Sequence, residues 1–367
     1  MSKVGVGLVG SGFISSIHCE TLRSVPEAEI RAVASSTQPR VEAFAAKHKI
    51  PRSFTDYRRM FELAEIDLVV IGIPNYLHCE AVLAAAAAGK HIVLEKPMAM
   101  NLAECDRMLA ACRAAGVKLM YAEELCFTPK YVRLKQLVDE GALGRVHLVK
   151  QAEKHDGPHA PWFYDTQLSG GGVTFDMGCH AIAFFRWLLS GTGGRQPPQA
   201  TSVYAHMATA VHGARTRGDD EALIIVEFDN GCTGLAEESW TKPGGMDDRA
   251  EVYGSGGVAY ADVLRGNSIH TYSTSGYGYA VEKAGSTVGW SFAIYEEAWN
   301  YGFPQEMAHF VDCVQNDREP LVSGEDGRAV LEIIMAAYAS AGSGRKIALP
   351  FATDAARPID LWRPAQA

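Results

Sequence analysis

The first 124 residues alternate short apolar runs with helical patterns, and this alternation restricts the possible fold more than any other feature of the chain. Val4–Val9 is an apolar run that predicts a buried strand. Gly10, Ser11 and Gly12 follow at once, and a helical pattern begins directly after them. A strand, a glycine turn and a helix in this order predict a dinucleotide-binding unit, in which the helix N-terminus faces a pyrophosphate. Ser15 stands where the usual fingerprint has its third glycine, so this motif alone is incomplete.

Strand and helix patterns continue to alternate up to residue 124. Further strands are predicted at 29–34, 67–71, 91–94 and 117–121, and helices at 80–88 and 102–115. Asn101 and Glu104 form a capping pattern before the second of these helices, and Gly116 is placed to end it. This order predicts an α/β Rossmann domain with a parallel, doubly wound sheet over residues 1–124.

Beyond residue 125 the chain changes to strands separated by glycine-rich turns. These strands are predicted at 146–153, 200–211, 221–228, 233–240 and 250–253, and helices at 129–140, 304–316 and 326–341. The pattern predicts an α+β domain over residues 125–367, with a large, mostly antiparallel, open-faced sheet and helices on one side. Apolar residues on both faces of one strand, Leu223, Ile225 and Val226, indicate a homo-oligomer that covers the outer face. The alternative is a monomer with a half-polar outer face.

Composition excludes several classes of partner. The chain has 367 residues and a formal charge of −9, with 47% hydrophobic residues and no basic run, so a nucleic-acid partner is not expected. The longest strongly apolar run, residues 81–88, is too short to span a bilayer, so no membrane association is expected. Eight cysteines are scattered without a CxxC pair, which is typical of buried thiols in a reducing cytoplasm.

Three consecutive glycines at 170–172 precede a helical pattern over residues 173–189. On one helix, Asp176 and His180 would lie one turn apart on the same face. A carboxylate beside an imidazole orients the ring and raises its proton affinity, as a general base requires. The alternative interpretation is a helix cap with a solvated polar pair.

The end of the second predicted strand lacks the acid that usually binds the ribose hydroxyls of NAD. Ser35, Ser36 and Thr37 stand there instead, with Arg40 three residues further on. Hydroxyls and a guanidinium suit the 2′-phosphate of NADP. The alternative is a plain helix cap followed by a solvated arginine.

Two loops carry polar side chains where the carboxyl ends of the strands would place them. One spans residues 73–78, and the other contains Glu95, Lys96 and Pro97 directly after an apolar strand. The proline restricts the backbone beside Lys96, which makes this lysine a candidate for a fixed functional cation. The alternative is a surface lysine at a strand end.

Seven segments carry a resemblance that covers nearly the whole chain: residues 7–12, 74–78, 95–97, 170–180, 229–231, 251–256 and 306–312. In order and spacing they resemble the oxidoreductases typified by glucose–fructose oxidoreductase, inositol dehydrogenase and rhizopine-catabolism proteins. The resemblance implies hydride transfer between a nicotinamide and a secondary carbinol or carbonyl of a sugar, glycoside or cyclitol. It implies Lys96, Asp176 and His180 as the catalytic group, and a second domain that binds substrate and builds dimers or tetramers.

The binding residues implied by the motifs and by this resemblance fall into two sets. Cofactor contacts, with NADP preferred over NAD, are expected from Gly7, Gly10, Ser11, Gly12, Phe13, Ile14, Ser35, Ser36, Thr37, Arg40, Pro74, Asn75, His78, Glu95 and Lys96. Substrate contacts are expected from Glu124, His155, His159, Trp162 and Phe163.

Two other functions are compatible with parts of the pattern. The first is a non-catalytic dinucleotide sensor, although such a protein would be expected to have lost Lys96 or His180. The second is a metal-dependent sugar lyase or isomerase with ligands from His155 and His159. These two histidines lie in a loop that contains proline and glycine, so their spacing of four residues does not place them on one face of a helix. No metal is therefore expected.

Overall fold

The computed structural model describes residues 3–191, 196–264, 269–278, 285–293 and 296–364. The chain forms two compact units, of which the first contains residues 1–124 and 302–331 and the second contains residues 125–301 and 332–367. The predicted division after residue 124 is also a division between these units. Residues 302–331, which we expected in the second domain, cluster with the first unit. Within the described residues, we find no helix with the length and hydropathy needed to cross a membrane.

The first unit contains a six-stranded sheet in which every pair of neighbours is parallel. Its strands are β1 Val4–Val9, β2 Ala28–Ala34, β3 Ser53–Phe54, β4 Leu68–Ile71, β5 His91–Glu95 and β6 Leu119–Ala122. Its helices up to residue 124 are α1 Phe13–Leu22, α2 Gln38–Lys47, α3 Tyr57–Phe61, α4 His78–Ala87 and α5 Leu102–Ala115. The strand order is β3-β2-β1-β4-β5-β6, which confirms the predicted doubly wound Rossmann sheet.

Local sequence signals account for these elements. The four residues of β4 are all buried, as expected for a strand covered by helices on both faces. The Asn101 side chain accepts a hydrogen bond from the backbone N–H of Glu104 across 3.0 Å, which caps α5. Gly116 ends the same helix at φ 66°, in the left-handed region that glycine adopts at little cost. The central strands and this helix therefore follow directly from the sequence.

The second unit is built on a seven-stranded sheet. The strands of this sheet are β7 Val146–Lys154, β8 Ala200–Ala208, β9 Glu221–Phe228, β10 Thr233–Ser239, β11 Asp247–Gly254, β12 Gly257–Asp262 and β15 Ile347–Ala348. A separate hairpin is formed by β13 Ile269–Ser273 and β14 Gly289–Ala293. The remaining helices of the chain are α6 Pro129–Asp139, α7 Thr166–Ser169, α8 Val173–Asp176, α9 Gly178–Leu189, α10 Glu297–Tyr301, α11 Phe303–Gln315, α12 Gly324–Ser343 and α13 Ile359–Trp362.

The strand order of this sheet is β12-β11-β7-β10-β9-β8-β15. Strands β7 and β10 are parallel, and the other neighbours are antiparallel, so the sheet is mixed but mostly antiparallel, as expected. Helix α9 packs against β7 and β10 on one face. The pleat of β9 directs Val226 to that covered face, where it is 0% exposed, whereas Leu223 and Ile225 are 45% and 38% exposed on the other face.

Helix α11 completes the first unit. It packs against α1 and β1, and the ring of Phe303 meets the ring of His18 edge-on, with 6.1 Å between the ring centroids. The backbone N–H of Tyr121 donates to the carbonyl of Val322 across 3.1 Å. A segment distant in sequence thus packs against α1 and β1 and pairs with the β6 edge of the Rossmann sheet, which the order of strands and helices did not predict.

The glycine-led helix predicted over residues 173–189 is two helices. Helix α8 ends at Asp176 and α9 begins at Gly178, with Met177 between them at φ −109° and ψ −30°. Asp176 therefore closes one helix, and His180 lies in the first turn of the next. The expectation that both residues lie on one continuous helix was wrong, because a helix junction separates them.

Candidate active site

The glycine turn after β1 has the geometry that a dinucleotide requires. Gly10 has φ 119°, and a Cβ atom there would lie 2.2 Å from the carbonyl oxygen of Gly72, so only glycine fits. Gly12 precedes α1, and a Cβ atom there would meet no described protein atom within 4 Å. The protein's own packing thus does not require glycine at position 12, whereas a pyrophosphate lying against the helix N-terminus does. The residues present fit a dinucleotide.

The end of β2 carries hydroxyl groups and no carboxylate. The hydroxyl oxygens of Ser35 and Ser11 lie 2.7 Å apart, which ties the end of this strand to the glycine turn. Thr37 precedes α2 but its side chain makes no capping hydrogen bond. Arg40 is exposed in the first turn of α2. The interpretation of this segment as an ordinary threonine-capped helix start is therefore not supported.

His78 joins the two polar loops of the first unit. Its ring is fully buried, with Nε2 2.8 Å from the carbonyl oxygen of Ile73 and Nδ1 3.0 Å from that of Pro97. Burial lowers the pKa of this imidazole, so the ring is neutral and donates one hydrogen bond at a time. We expected His78 to contact the cofactor. In this unit both ring nitrogens instead contact backbone, and His78 holds the loop of Asn75 against the loop of Lys96.

The carboxylate of Glu95 is bound by helix α1. Its Oε1 lies 2.5 Å from Nε2 of His18, and its Oε2 accepts a hydrogen bond from the backbone N–H of Lys96 across 3.2 Å. His18 is 0% exposed and Glu95 is 7% exposed. This pair links the helix of the glycine turn to the loop that carries Lys96. Sequence reasoning missed His18. The signal available for it was a histidine one turn into α1, the helix that follows the glycine turn.

A second buried carboxyl lies in the same unit. Glu306 on α11 is 0% exposed, and burial together with the charges of Glu124, Glu95 and Glu123 raises the pKa of its carboxyl well above the usual range. This environment favours the protonated form of the Glu306 carboxyl. Sequence reasoning missed it because its acidic neighbours come from two segments that are distant in sequence, one at Glu95 and one at 123–124. Glu124, one of the expected substrate contacts, begins a short 3₁₀ turn at 124–126.

The glycines before α8 are required by close packing inside the second unit. A Cβ atom at Gly172 would lie 2.0 Å from the carbonyl oxygen of Asp219, and one at Gly171 would lie 2.4 Å from the hydroxyl of Tyr338. Gly170 has φ 92° and ends α7 in the left-handed region. The run of glycines therefore reflects close approach of this backbone to the backbone of Asp219 and to the hydroxyl of Tyr338, which the sequence alone did not reveal.

Asp176 and His180 are both buried, at 7% and 2% exposure. Nε1 of Trp240 donates a hydrogen bond to Oδ2 of Asp176 across 3.2 Å. Trp240 is 0% exposed and immediately follows β10. The indole therefore restricts where the Asp176 carboxylate can lie. A buried carboxylate that lies four residues before a buried histidine, across the junction of α8 and α9, is suited to orienting an imidazole base.

The segment expected to contact substrate packs around Trp240. The backbone N–H of Gly157 donates to the carbonyl of Trp240 across 2.8 Å. The ring of Phe163 meets the indole edge-on at 6.5 Å, and Trp162 stacks on Phe163 at 3.9 Å. Trp162 and Phe163 are half-buried. The structure thus brings this segment beside the tryptophan that holds Asp176.

His155 and His159 lie in the same segment, with 6.0 Å between their ring centroids. His155 is buried and His159 is exposed. In the part of the chain that the structure describes, no three potential ligand atoms that include one from either histidine lie within 4.8 Å of one another. The described geometry gives no support to a metal centre built on these two residues.

Comparison with known proteins agrees with these features. Residues 4–123 match the model described as the oxidoreductase family with an NAD-binding Rossmann fold. Residues 131–260 match the model of the Gfo/Idh/MocA C-terminal domain. The chain is 27% identical over 346 residues to myo-inositol 2-dehydrogenase of Thermotoga maritima, which covers 94% of this chain and 98% of that relative.

Two further matches extend the comparison. Levoglucosan dehydrogenase of Pseudarthrobacter phenanthrenivorans is 30% identical over 264 residues, covering 65% of this chain and 67% of the relative. The crystal structure of GenD2 from gentamicin A biosynthesis, in complex with NAD, matches with a TM-score of 0.88 at 29% identity, covering 96% of this chain and 97% of that one. With both family models matched in chain order, this protein belongs to the Gfo/Idh/MocA oxidoreductase family, and its first unit is an NAD-binding Rossmann domain.

Proposed function

We propose that this protein transfers a hydride between a nicotinamide cofactor and the CH–OH group of a polyhydroxylated ring, such as a cyclitol, a sugar or a glycoside. The observation that carries the proposal is the buried pair formed by Asp176, held by the Trp240 indole, and His180 in the following turn. Relatives named for inositol and levoglucosan support the class of substrate.

The bound nicotinamide would supply the hydride acceptor or donor. During oxidation of a carbinol, His180 takes the proton of the reacting hydroxyl on its imidazole. Asp176 orients this imidazole and stabilises the imidazolium that results, and a positioned acid–base group of this kind contributes about 10²–10⁴-fold. Lys96 donates a hydrogen bond to the same substrate oxygen and stabilises its developing negative charge. Reduction of the carbonyl uses the same three residues in reverse.

The cofactor would lie against the glycine turn. The backbone amides after Gly10 and Gly12 suit the pyrophosphate. We further propose that NADP is accepted and preferred, because the hydroxyls of Ser35, Ser36 and Thr37 and the exposed guanidinium of Arg40 suit a 2′-phosphate. The loop of Pro74 and Asn75, fixed through the buried His78, would place the nicotinamide.

The substrate would contact the segment around Trp240. Trp162 and Phe163 are half-buried and offer flat apolar faces to a ring, and His155, His159 and Glu124 offer polar contacts. We propose further that the protein works in the cytoplasm as a homodimer or homotetramer, with the outer face of the large sheet covered by a second copy. The exposed Leu223 and Ile225 support that surface.

The function is tested by initial rates with inositols, free sugars and glycosides, each with NAD and with NADP and each repeated in the presence of a chelator. We expect oxidation of at least one compound, detected as reduced nicotinamide and insensitive to the chelator. Absence of turnover with every compound and both cofactors would contradict the proposal, and loss of turnover on chelation would favour a metal-dependent reaction.

The preference for NADP has its own test. Dissociation constants for both cofactors are measured for the wild-type protein and for Arg40→Ala, with Arg59→Ala, another exposed arginine of the first unit, as the control. Arg40→Ala should weaken NADP selectively, by about tenfold for a lost charge-assisted contact. Tighter binding of NAD by the wild-type protein, with no selective effect of Arg40→Ala, would exclude the preference.

A further inference from the structure

Two buried polar side chains converge on the backbone that leads into α8. Oδ1 of Asp219 accepts a hydrogen bond from the N–H of Gly172 across 3.1 Å, and Oδ2 accepts one from the N–H of Thr174 across 2.7 Å. The backbone carbonyl of Asp219 accepts from the N–H of Val173 across 2.8 Å. Three successive amides at the start of α8 are therefore held by one residue.

Tyr338 on α12 completes this arrangement. Its hydroxyl donates to Oδ1 of Asp219 across 2.6 Å and accepts from the N–H of Gly172 across 2.9 Å. Both Tyr338 and Asp219 are 0% exposed. Burial and the nearby Asp219 charge raise the pKa of the Tyr338 phenol well above its usual range, so the hydroxyl keeps its proton and remains a donor.

The site leaves little room for adjustment. Side chains larger than hydrogen at Gly171 or Gly172 would collide with Tyr338 or with the Asp219 backbone. Helix α8 is a single turn that ends at Asp176, so a shift of its first residues moves the Asp176 carboxylate as well. A short helix held at one end by fixed partners transmits their position directly to its other end.

The carboxylate end of this helix is held from the same segment. The backbone carbonyl of Asp220 accepts a hydrogen bond from the N–H of Trp240 across 2.9 Å, and the indole of Trp240 donates to Asp176. Residues 219–220 thus support Asp176 by two routes, one through the helix backbone and one through the indole.

We propose that Asp219 and Tyr338 are positioning residues that fix the Asp176 carboxylate, and through it the imidazole of His180, for proton transfer. The inference rests on the proposed function, because it assumes that Asp176 orients the base. Neither residue touches substrate in this proposal. Both act by holding the backbone amides of residues 172–174. The sequence pattern pointed to the glycines that begin this segment but did not explain their role.

The test compares two hydroxyl deletions on one helix. Tyr338→Phe removes both hydrogen bonds but keeps the ring. Ser340→Ala, the control, removes a buried hydroxyl of the same helix that accepts from Ala205 across 3.0 Å and donates to Arg345 across 2.6 Å. Asp219→Asn is a second variant that retains the shape of the side chain and supplies a donor where an acceptor is needed.

The position of Asp176 is monitored by a measurement that does not depend on enzymatic activity. In protein labelled with ¹⁵N-tryptophan, the indole N–H of Trp240 is one of six indole signals and is assigned by its loss in Trp240→Phe. We expect Tyr338→Phe and Asp219→Asn to shift this signal and to accelerate its hydrogen exchange by about tenfold, whereas Ser340→Ala leaves it unchanged. An indole signal in both variants identical to that of Ser340→Ala would overturn the proposal.

Kinetics supply the second readout. Tyr338→Phe should lower kcat by about tenfold or more at nearly unchanged KM for the cofactor, because displaced catalytic groups slow the chemical step more than they weaken binding. The acid limb of the kcat/KM profile should move to lower pH, since an imidazole that loses its carboxylate binds its proton less tightly. Unchanged kcat and an unchanged profile in a folded Tyr338→Phe protein would also overturn the proposal.

The two proposals fail in different ways. If no polyol is oxidised by the wild-type protein, the proposed function fails while the indole signal still reports whether Asp219 and Tyr338 fix Asp176. If wild-type turnover is found but neither readout responds to Tyr338→Phe, the positioning role fails and the proposed function stands.

Discussion

The indole nitrogen of Trp240 donates a hydrogen bond to Oδ2 of Asp176, with 3.2 Å between the two atoms, although 64 positions separate these residues in the chain. Both side chains are buried, so water does not compete freely for this contact. A carboxylate held in this way has a defined orientation before substrate arrives, which is the condition for aligning a neighbouring imidazole at low cost.

Replacement of Trp240 by phenylalanine tests this contact. Trp240→Phe keeps an aromatic ring against Phe163 but removes the only N–H of the side chain. We expect turnover to fall by about tenfold, the effect of losing one hydrogen bond to a charged group, with little change in cofactor affinity. Steady-state kinetics measure both quantities. Trp187→Phe at the end of α9 is the control, and equal turnover in the two variants would exclude a role for the indole.

The proposed catalytic residues make a stronger prediction. His180→Ala and Lys96→Ala should each lower turnover by about 10²-fold or more while cofactor affinity stays near wild type, because both act on the reacting oxygen. Single-turnover kinetics separate the chemical step from binding. If His180→Ala keeps more than about a tenth of wild-type turnover, it is not the general base. Lys96 then becomes the candidate.

Asp176→Asn separates charge from hydrogen bonding at the same site. The amide keeps the shape of the carboxylate but carries no charge, so it stabilises an imidazolium less well. We expect the variant to fold, to lose turnover and to show a shifted or flattened pH–rate profile. A profile identical to that of the wild-type protein would remove Asp176 from the proton-transfer step and leave it a structural role beside Trp240.

Glu306 makes a prediction about stability and pH. Its pKa in the folded protein is raised well above the ordinary value of 4.5, so the unfolded chain releases this proton at lower pH than the folded protein does. Stability is therefore lost as pH rises above about 4.5 towards the folded-state pKa. Glu306→Gln removes this loss, so the melting temperature of the variant relative to that of the wild-type protein should rise as the pH increases above about 4.5.

Calorimetry across that range measures the difference, and each kcal/mol corresponds to about 2–4 °C in a unit of this size. Exposed Glu62→Gln in the same unit is the matched control and should show no such trend. A constant difference between Glu306→Gln and wild type at every pH would show that Glu306 does not titrate with an elevated pKa.

We expect the protein to self-associate through the exposed apolar residues on the outer face of the large sheet. Leu223 and Ile225 are 45% and 38% exposed on one strand, and an apolar sheet face of this kind is normally covered. Light scattering should give a mass at least twice that of the 39.7-kDa chain. Ile225→Arg should reduce it to the monomer, whereas Leu321→Arg, at an equally exposed leucine of the first unit, should not. A wild-type mass near 40 kDa at micromolar concentration would exclude the oligomer.

Much of the fold could be predicted because its signals are local. The apolar run of β1, the turn at Gly10 and the cap at Asn101 each depend on a few neighbouring residues, and each was confirmed. The same locality explains two errors. Helix periodicity continues through Met177, so the junction between α8 and α9 was not visible, and no local signal assigns residues 302–331 to the Rossmann unit.

The sequence by itself determined the Rossmann order of strands and helices, the mostly antiparallel second sheet and the presence of a lysine, an aspartate and a histidine in motifs typical of one family. Only the tertiary structure decided what holds these groups in place: His18 on Glu95, Trp240 on Asp176, and Asp219 with Tyr338 on the glycines before α8. The physical reason is that patterning depends on the spacing of neighbouring residues. A buried hydrogen bond joins residues tens to hundreds of positions apart, and it forms only when the whole core has assembled around both partners.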